Sequence, residues 1–260
     1  MLAQHFKRLA TRAATLAAAG LLSGCAYMDI ESSGLSDGVR LAELDMSGSA
    51  PTAISLIGPD EVILSEGERL DIRVEGDREA ADKVRFELDG DDLAIGREDG
   101  SSNGRSRATI RVTMPPPREI AVAGSGSITA PVLAKSAELD IAGSGSIKVA
   151  AIDADRLEVN IGGSGTATGA GRAAVLEVSV AGSGDVELAE LTADKVEVSI
   201  AGSGDVELAS DGSVEASIAG SGDVIVSGSA TCSVSSVGSG TLTCKPARSA
   251  AAPEPTEDAD

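Results

Sequence analysis

The sequence has almost no aromatic residues. Its 260 residues include no tryptophan, one tyrosine and two phenylalanines. Binding sites for sugars and bases commonly stack their ligands on aromatic rings, and the region from 118 to 245 has none. His5 is the single histidine and lies in a segment that we interpret below as a signal peptide. Ser/His/Asp triads, Cys/His pairs and histidine metal sites are therefore excluded from the mature chain.

Basic residues are also scarce. There are 21 lysines and arginines against 41 aspartates and glutamates, which gives a formal net charge of −20. Nucleic acids and anionic lipid surfaces repel such a chain, so neither is expected as a partner. A basic protein, a neutral glycan or a divalent cation remains open as a partner, and no cofactor is expected.

Glycine, in contrast, is frequent and periodic. The triplet Gly-Ser-Gly occurs seven times between Arg118 and Lys245. We take its serine as position zero of each repeat. These serines are Ser125, Ser144, Ser164, Ser183, Ser203, Ser221 and Ser239. Their spacing of 18 to 20 residues is typical of a solenoid with one supersecondary unit per repeat.

Apolar and polar residues alternate on both sides of each triplet. Positions −5, −3 and +3 are mostly Val, Ile, Leu or Ala. Such alternation, rich in β-branched residues, predicts short strands with one buried face. Some repeats add an apolar residue at +8, namely Leu133, Ile152 and Leu191, which indicates a looser third side. We predict an all-β parallel β-solenoid of about seven Gly-Ser-Gly coils, because recurring glycines oppose helix.

The first 24 residues are predicted to be a signal peptide. Three basic residues precede an apolar run from 13 to 22 that is too short to span a bilayer. The run ends in Leu22-Ser23-Gly24-Cys25, which looks like a bacterial lipobox. In this interpretation Cys25 is diacylated and becomes the first residue of the mature protein. The alternative is an ordinary signal peptide followed by a chance cysteine.

This interpretation predicts a lipid-anchored protein of the cell envelope. Acyl chains would attach it to a membrane without a spanning helix. Ala26 and Tyr27, which follow the cysteine, are not the aspartate associated with retention in the inner membrane. The outer membrane is therefore the favoured location.

The rest of the chain divides by composition. Residues 25–42 are polar and small and are interpreted as a tether. Residues 43–117 form a β-rich N-terminal section, which either is independent or caps the first coil of the solenoid. Within it, residues 98–106 are interpreted as an exposed hairpin tip. Residues 118–245 are the solenoid, and residues 246–260 are a disordered acidic tail.

Residues 43–245 resemble the head GIN domain family, also described as putative autotransporter adhesins. Three patterns carry the resemblance ahead of the Gly-Ser-Gly coils: Ile54-x-x-Ile57-Gly58-Pro59-x-x-Val62, Gly67-x-x-x-Leu70-x-Ile72-x-Val74-x-Gly76-Asp77 and Asp89-Gly90-x-x-Leu93-x-Ile95. The resemblance implies a right-handed β-solenoid in the bacterial envelope. It implies no established activity and no functional residues.

Acidic residues recur at outward positions of the repeats. Position −6 is glutamate in six successive repeats: Glu119, Glu138, Glu158, Glu177, Glu197 and Glu215. Stacked coils would align them as a ladder with a step of ~4.8 Å. Position +2 adds Asp185, Asp205 and Asp223. The ladder is either a solvated face that keeps surfaces apart or a stripe that binds cations or a basic partner.

The two remaining cysteines belong to the last repeat. Cys232 lies at position −7 and Cys244 at position +5, where earlier repeats have apolar residues. Both positions should face inward, on opposite sides of the Gly-Ser-Gly corner. We predict that they form a disulfide that closes the final coil, in a compartment that permits oxidation. The alternative is two small buried thiols.

The predicted function is non-enzymatic: an envelope lipoprotein that displays an acidic β-solenoid for adhesion or interaction. One alternative is a polysaccharide-active enzyme, since β-solenoids can host acid-dependent glycosidases and lyases. The regular ladder, without a long loop that would build a cleft, argues against it. A second alternative is a surface that binds divalent cations weakly.

Overall fold

The structure is a computed structural model that describes Leu35 and residues 38–98 and 106–245. It contains one short α-helix, α1 (Arg78–Lys83), and sixteen strands within these residues. The strands are β1 (Ala53–Gly58), β2 (Glu61–Glu66), β3 (Asp71–Gly76), β4 (Val84–Asp89), β5 (Asp92–Arg97), β6 (Ala108–Met114), β7 (Glu119–Gly124), β8 (Ser127–Val132), β9 (Ser136–Gly143), β10 (Ser146–Gly163), β11 (Thr166–Gly182), β12 (Asp185–Gly202), β13 (Val206–Gly220), β14 (Asp223–Ser227), β15 (Thr231–Gly238) and β16 (Thr241–Lys245).

The strands form two long walls joined at the Gly-Ser-Gly corners, as the repeats predict. Wall A, which precedes each corner, has the order β4-β5-β1-β7-β9-β10-β11-β12-β13-β15. Wall B, which follows each corner, has the order β3-β6-β2-β8-β10-β11-β12-β13-β14-β16. The longest strands, β10 to β13, turn past the third side and so belong to both walls. The result is the predicted parallel β-solenoid.

The core lies between the walls and is continuous from one end of the solenoid to the other. Alternate residues of each strand point inward and are buried, as Ile141, Val159 and Ile200 illustrate. The apolar residues predicted for a third side, Leu133 and Leu191 among them, are buried as well. Each coil thus buries its apolar face against two neighbouring coils, which is how a chain with few large side chains obtains a dry interior.

The two glycines of each corner have different roles. The first has a positive φ, for example +131° at Gly182, a backbone conformation that side chains other than glycine rarely adopt. The second, for example Gly184, would carry a Cβ only 2.7 Å from the carbonyl oxygen of Gly165 in the preceding coil. The serine between them is exposed, and the backbone N–H of Ser183 donates to the oxygen of Gly163 at 2.8 Å.

The N-terminal section is part of the solenoid. β1 pairs with β7 and β2 pairs with β8, both parallel and in register, so β1 and β2 form one additional coil. β5 and β6 pair with β1 and β2 and form a second additional coil. The antiparallel strands β3 and β4 then cover the outer edges of β6 and β5. Of the two predicted alternatives, the section therefore extends and caps the solenoid instead of folding as a separate unit.

Two details of this section differ from the sequence-based interpretation. The strands that flank residues 98–106 pair with β1 and β2, not with each other, so this connection joins the two walls and is not a hairpin tip; residues 99–105 themselves lie outside the described residues. Part of the predicted tether also contacts the fold. Leu35 is buried, and Val39 exchanges backbone hydrogen bonds of 2.8 Å with Phe86 of β4. The buried side chain of Leu35 and the backbone of Val39 make this contact.

A buried ion pair stabilises the capped end. Arg97 at the end of β5 donates from Nε and Nη2 to the carboxylate of Asp60, at 2.8 and 2.6 Å. Asp60 also accepts from the backbone N–H of Ala108 at 2.8 Å, and Arg97 donates to the carbonyl oxygen of Ser106 at 2.7 Å. Asp60 therefore connects the coil β1–β2 to the coil β5–β6 at their shared corner.

Candidate functional site

The six glutamates at position −6 form a continuous row on the outer face of wall A. Each is the register partner of the next, from Glu119 to Glu215. In-register parallel pairing places equivalent side chains about one strand spacing apart, ~4.8 Å. The row ends where Ala53 pairs with Glu119 and where Ser233 pairs with Glu215. The structure therefore brings these six residues together; we call this row the glutamate ladder.

Solvent exposure and pairing with arginine change along the ladder. Its first four members are partly buried, whereas Glu197 and Glu215 are exposed. Two of the first four members are paired with arginines: Arg156 donates from Nη2 to Glu177 Oε2 at 2.6 Å, and Nη1 of Arg118 lies 3.6 Å from Glu119 Oε2. The exposed end, Glu197 and Glu215, is thus the part of the ladder most accessible to a ligand.

A group of carboxylates surrounds Asn160 in the first half of the ladder. The side-chain amide of Asn160 donates to Glu138, Asp140 and Glu158, with Nδ2–O distances of 3.2, 3.1 and 3.3 Å. Burial, followed by the charges of Asp140, Glu158 and Glu119, raises the pKa of Glu138 to about 7. Burial is also the main reason that the pKa of Asp140 is raised to about 6, while the Asn160 hydrogen bond acts in the opposite direction. Repulsion and desolvation both favour a proton on this group near neutral pH.

Sequence reasoning missed Asp140 and Asn160. Both occupy position −4, whose residues through the repeats are Ala121, Asp140, Asn160, Ser179, Ser199, Ser217 and Ser235. Two large polar residues in neighbouring coils depart from a position that is otherwise alanine or serine. That departure was the signal, and it becomes informative only when the coils are known to stack in register.

The aspartates at position +2 have a structural role on wall B. Asp205 Oδ1 accepts from the backbone N–H of Asp223 at 2.8 Å, and Asp185 Oδ1 accepts from the N–H of Asp205 at 3.3 Å. Asp223 Oδ1 in turn accepts from the N–H and hydroxyl of Thr241 at 3.0 and 2.7 Å. Each aspartate thus bonds to the next coil. One carboxylate oxygen of each aspartate is engaged in holding coils together, which reduces what the three residues can offer a cation.

The remaining predicted sites are the cysteines. Cys232 and Cys244 form the predicted disulfide, with their Cα atoms 6.7 Å apart. Their register partners in the preceding coil are Val214 and Val226, so both cysteines occupy inward positions. Cys232 is partly buried and Cys244 is exposed, because the last coil is covered on one side only. Cys25, the predicted lipid attachment site, lies outside the described residues.

Two further properties bear on function. Among the residues that the structure describes, no group of three or more His, Cys, Asp or Glu side chains is arranged to hold a metal ion. Over the same residues, no helix has the length and apolar character needed to cross a membrane.

Comparison with known proteins identifies a family and a fold. A family model described as "Putative auto-transporter adhesin, head GIN domain" matches residues 50–230. A comparison with curated proteins gives no match.

Several solved structures share the architecture. A putative adhesin from Bacteroides fragilis is 20% identical, with a TM-score of 0.64 over 76% of this chain and 92% of that protein. A putative lipid binding protein from Parabacteroides distasonis is 23% identical, with a TM-score of 0.58 over 77% of this chain and 94% of that protein. At such low sequence identities, the similarity shows a shared fold and nothing about function.

Proposed function

The chain belongs to the head GIN domain family of putative autotransporter adhesins, and from this premise we propose that it is a non-enzymatic, lipid-anchored envelope protein that binds a basic protein or a glycan through its glutamate ladder. An adhesin-like family indicates a protein of the cell surface or envelope. The lipid anchor, the outer membrane and the acidic binding face are our additions to that statement.

The observation that carries the proposal is the in-register ladder itself. Six carboxyl groups in successive coils form a regularly spaced stripe on one face of a rigid support, and its last two members, Glu197 and Glu215, are exposed. Like charges on adjacent strands destabilise the fold by tenths of a kcal/mol per pair. A basic partner with lysines or arginines at a matching spacing would relieve this repulsion when it binds. Its affinity should therefore be higher than that of a partner whose charges do not match the spacing.

The exposed end of the ladder offers a matched test. The variant Glu197→Gln/Glu215→Gln removes two charges from wall A, and Glu187→Gln/Glu207→Gln removes two exposed charges from wall B in the same part of the solenoid. Binding of cell-surface extract proteins, and of polylysine as a probe, is measured for both. We expect the first variant to weaken binding roughly three- to tenfold and to flatten its salt dependence. Equal effects of the two variants would contradict a binding role for the ladder.

The anchor is tested separately. Cys25→Ser should release the protein from membranes, because the predicted acylation site is lost. Cys232→Ser/Cys244→Ser is the control, since it also removes cysteines but leaves the lipobox intact. After carbonate washing and separation of the two membranes, the unaltered protein is expected in the outer-membrane fraction. Retention of the Cys25→Ser protein on the membrane would reject lipidation at this residue.

Divalent cations are expected to bind only weakly, in the millimolar range. The aspartates of wall B already accept backbone hydrogen bonds, and the ladder carboxylates lie in a row where Ca²⁺ prefers a cage of about six to eight oxygens. Melting temperature as a function of calcium concentration measures this, and a micromolar midpoint would show a dedicated calcium site.

A further inference from the structure

A short segment fastens the chain to the capped end of the solenoid before β1 begins. Leu35 is buried, and its backbone N–H donates to the carbonyl oxygen of Arg97, at the end of β5, at 2.9 Å. Val39 exchanges two backbone hydrogen bonds of 2.8 Å with Phe86 of β4. A 3₁₀ turn follows, and an apolar side chain of this turn packs against the core. We call Leu35 and residues 38–44 the strap.

Two glycines build the socket that holds Leu35. Gly96 of β5 contacts it, because a Cβ on this glycine would lie 3.0 Å from Leu35 Cβ. Gly38 contacts it as well, since a Cβ there would lie 2.8 Å from Leu35 Cδ2 and 2.8 Å from Arg85 Cβ. A side chain at either glycine would need the space that the leucine occupies. The leucine is therefore closely packed and removed from water, which makes it a fixed point of attachment.

The strap shortens the connection between the solenoid and the predicted lipid. Cys25 precedes Leu35 by ten residues, which reach at most about 35 Å when fully extended. Without the strap, the chain would first be held at Ala53, where β1 begins, and the reach would be about 100 Å. The strap also attaches the chain to β4 and β5, which lie at the opposite end of wall A from β15.

Charge on the walls disfavours a solenoid that lies flat on a membrane. Wall A carries the glutamate ladder, and wall B carries the aspartates at position +2. Anionic headgroups repel both faces. A solenoid that is held close to the bilayer by one end keeps both walls away from the surface, whereas a flat one places an acidic wall against it.

We propose that the strap makes the solenoid stand on the membrane, with its capped end next to the bilayer and the exposed end of the glutamate ladder directed outward. This inference rests on the proposed lipid anchor. Seven strand spacings separate β5, which holds the strap, from β13, which carries Glu215. Glu215 would then lie about 34 Å farther from the membrane than the strap. A basic partner that approaches from outside would meet the accessible carboxyl groups first.

Energy transfer to the membrane measures this orientation. The full lipidated chain is inserted into vesicles of phosphatidylethanolamine and phosphatidylglycerol that contain an acceptor lipid. A clickable amino acid carries the donor dye at Ala142 or Val237, which are both exposed and both occupy position −2. Five strand spacings separate the two strands, β9 and β15. Because they differ in height by about 24 Å, we expect at least about threefold more transfer from position 142.

Release of the strap tests its role. Leu35→Asp/Val39→Pro places a charge in the socket and removes the N–H that bonds to Phe86. The longer tether should reduce the difference between the two dye positions to less than about 1.5-fold. Met46→Asp, an exposed position between the strap and β1, is the control and should keep the difference. Circular dichroism confirms that each variant contains the β-sheet.

A second variant lengthens the tether and leaves the strap intact. Insertion of about twenty Gly and Ser residues after Ser33 should reduce the difference between the dye positions as strap release does. Equal transfer from both positions in the unaltered protein, or more from position 237, would overturn the standing orientation. A difference that survives both strap release and the insertion would overturn the role of the strap.

The anchor and the strap can fail separately. Absence of transfer from both positions, with the protein in the soluble fraction, would overturn the lipid anchor and the orientation with it. Hydrogen exchange of the Cys25→Ser protein tests the strap without a membrane. The amide of Leu35 should exchange at least about tenfold more slowly than in the same protein with Val39→Pro and Leu35→Asp added. Equal exchange would show that the strap does not hold the chain and would overturn the proposal.

Discussion

The two ends of the solenoid differ in how they stabilise the outermost coil, whose core and strand edges are covered on one side only. At the N-terminal end the chain adds two antiparallel strands and a buried ion pair between Arg97 and Asp60. At the C-terminal end it adds no strand within the described residues, but replaces core and charged positions with serine and threonine and closes the coil with a disulfide. The first end therefore covers its outermost parallel coil with extra strands, while the second leaves its last coil uncovered by any further described strand and fixes it with a disulfide.

Removal of the ion pair should have the largest effect. Asp60→Ala leaves the buried guanidinium of Arg97 without its carboxylate and the N–H of Ala108 without its acceptor. We expect a loss of about 3–5 kcal/mol in the free energy of unfolding, measured by urea denaturation. Glu75→Ala is the control at the same end, because it breaks the exposed pair with Arg111 and should cost less than about 1 kcal/mol. Similar losses in both variants would show that burial of the pair is unimportant.

Removal of the disulfide should come next, with a local effect. Cys232→Ser/Cys244→Ser opens a loop with a sequence separation of 12, worth roughly 3 kcal/mol in the chain-entropy estimate. Hydrogen exchange should accelerate in β15 and β16, while β9 and β10 keep their protection. If exchange accelerates equally in all strands, the last coil is not a separate folding element and the contrast between the ends is wrong.

Corner glycines should distinguish the N-terminal coil from the interior coils. Gly58 and Gly202 both have positive φ, +127° and +140°. A Cβ at Gly58 would meet nothing within 4 Å, whereas at Gly202 it would collide with the carbonyl oxygen of Gly182. Gly202→Ala should therefore cost about 2 kcal/mol or more, and Gly58→Ala only the backbone strain of about 1 kcal/mol. Thermal denaturation of both variants measures the difference, and a larger loss for Gly58→Ala would refute it.

The smallest effect should be a dependence of stability on pH at Glu138 and Asp140. Their pKa values are raised in the folded state, so between the ordinary carboxyl range and pH about 7 the folded protein binds more protons than the unfolded chain. Stability should therefore decrease as the pH rises from about 4.5 to about 7. Because both side chains keep contact with water, we expect a change of about 1 kcal/mol.

Asp140→Asn tests this dependence. It should raise the melting temperature at pH 8 and reduce the loss between pH 5 and pH 8. Glu215→Gln, an exposed member of the same ladder, is the control and should change neither. A variant that melts at a lower temperature at pH 8 would show that the carboxylate of Asp140 stabilises the fold instead of straining it.

Local periodicity in the sequence was sufficient to predict most of the solenoid. The Gly-Ser-Gly spacing and the alternation at positions −5, −3 and +3 determine which residues face inward, and they place Cys232 and Cys244 in one coil. This periodicity does not predict the pairing of β5 and β6 with β1 and β2. The segment that separates these strands in the chain, β3, α1 and β4, does not follow the repeat. No repeat marks those pairings. The Arg97–Asp60 pair depends on the same long-range contacts.

Stacking in strict register also affects how such a molecule can change over evolutionary time. Every interior coil presents the same corner and the same two wall segments to its neighbours, so one repeat can be duplicated or lost without altering the contacts of the others. Each such event would change the reach of the molecule by one strand spacing, ~4.8 Å. The two ends have no equivalent freedom, because each is built from residues that occur once. The interior coils therefore set the length of this protein, while the two ends stay constant.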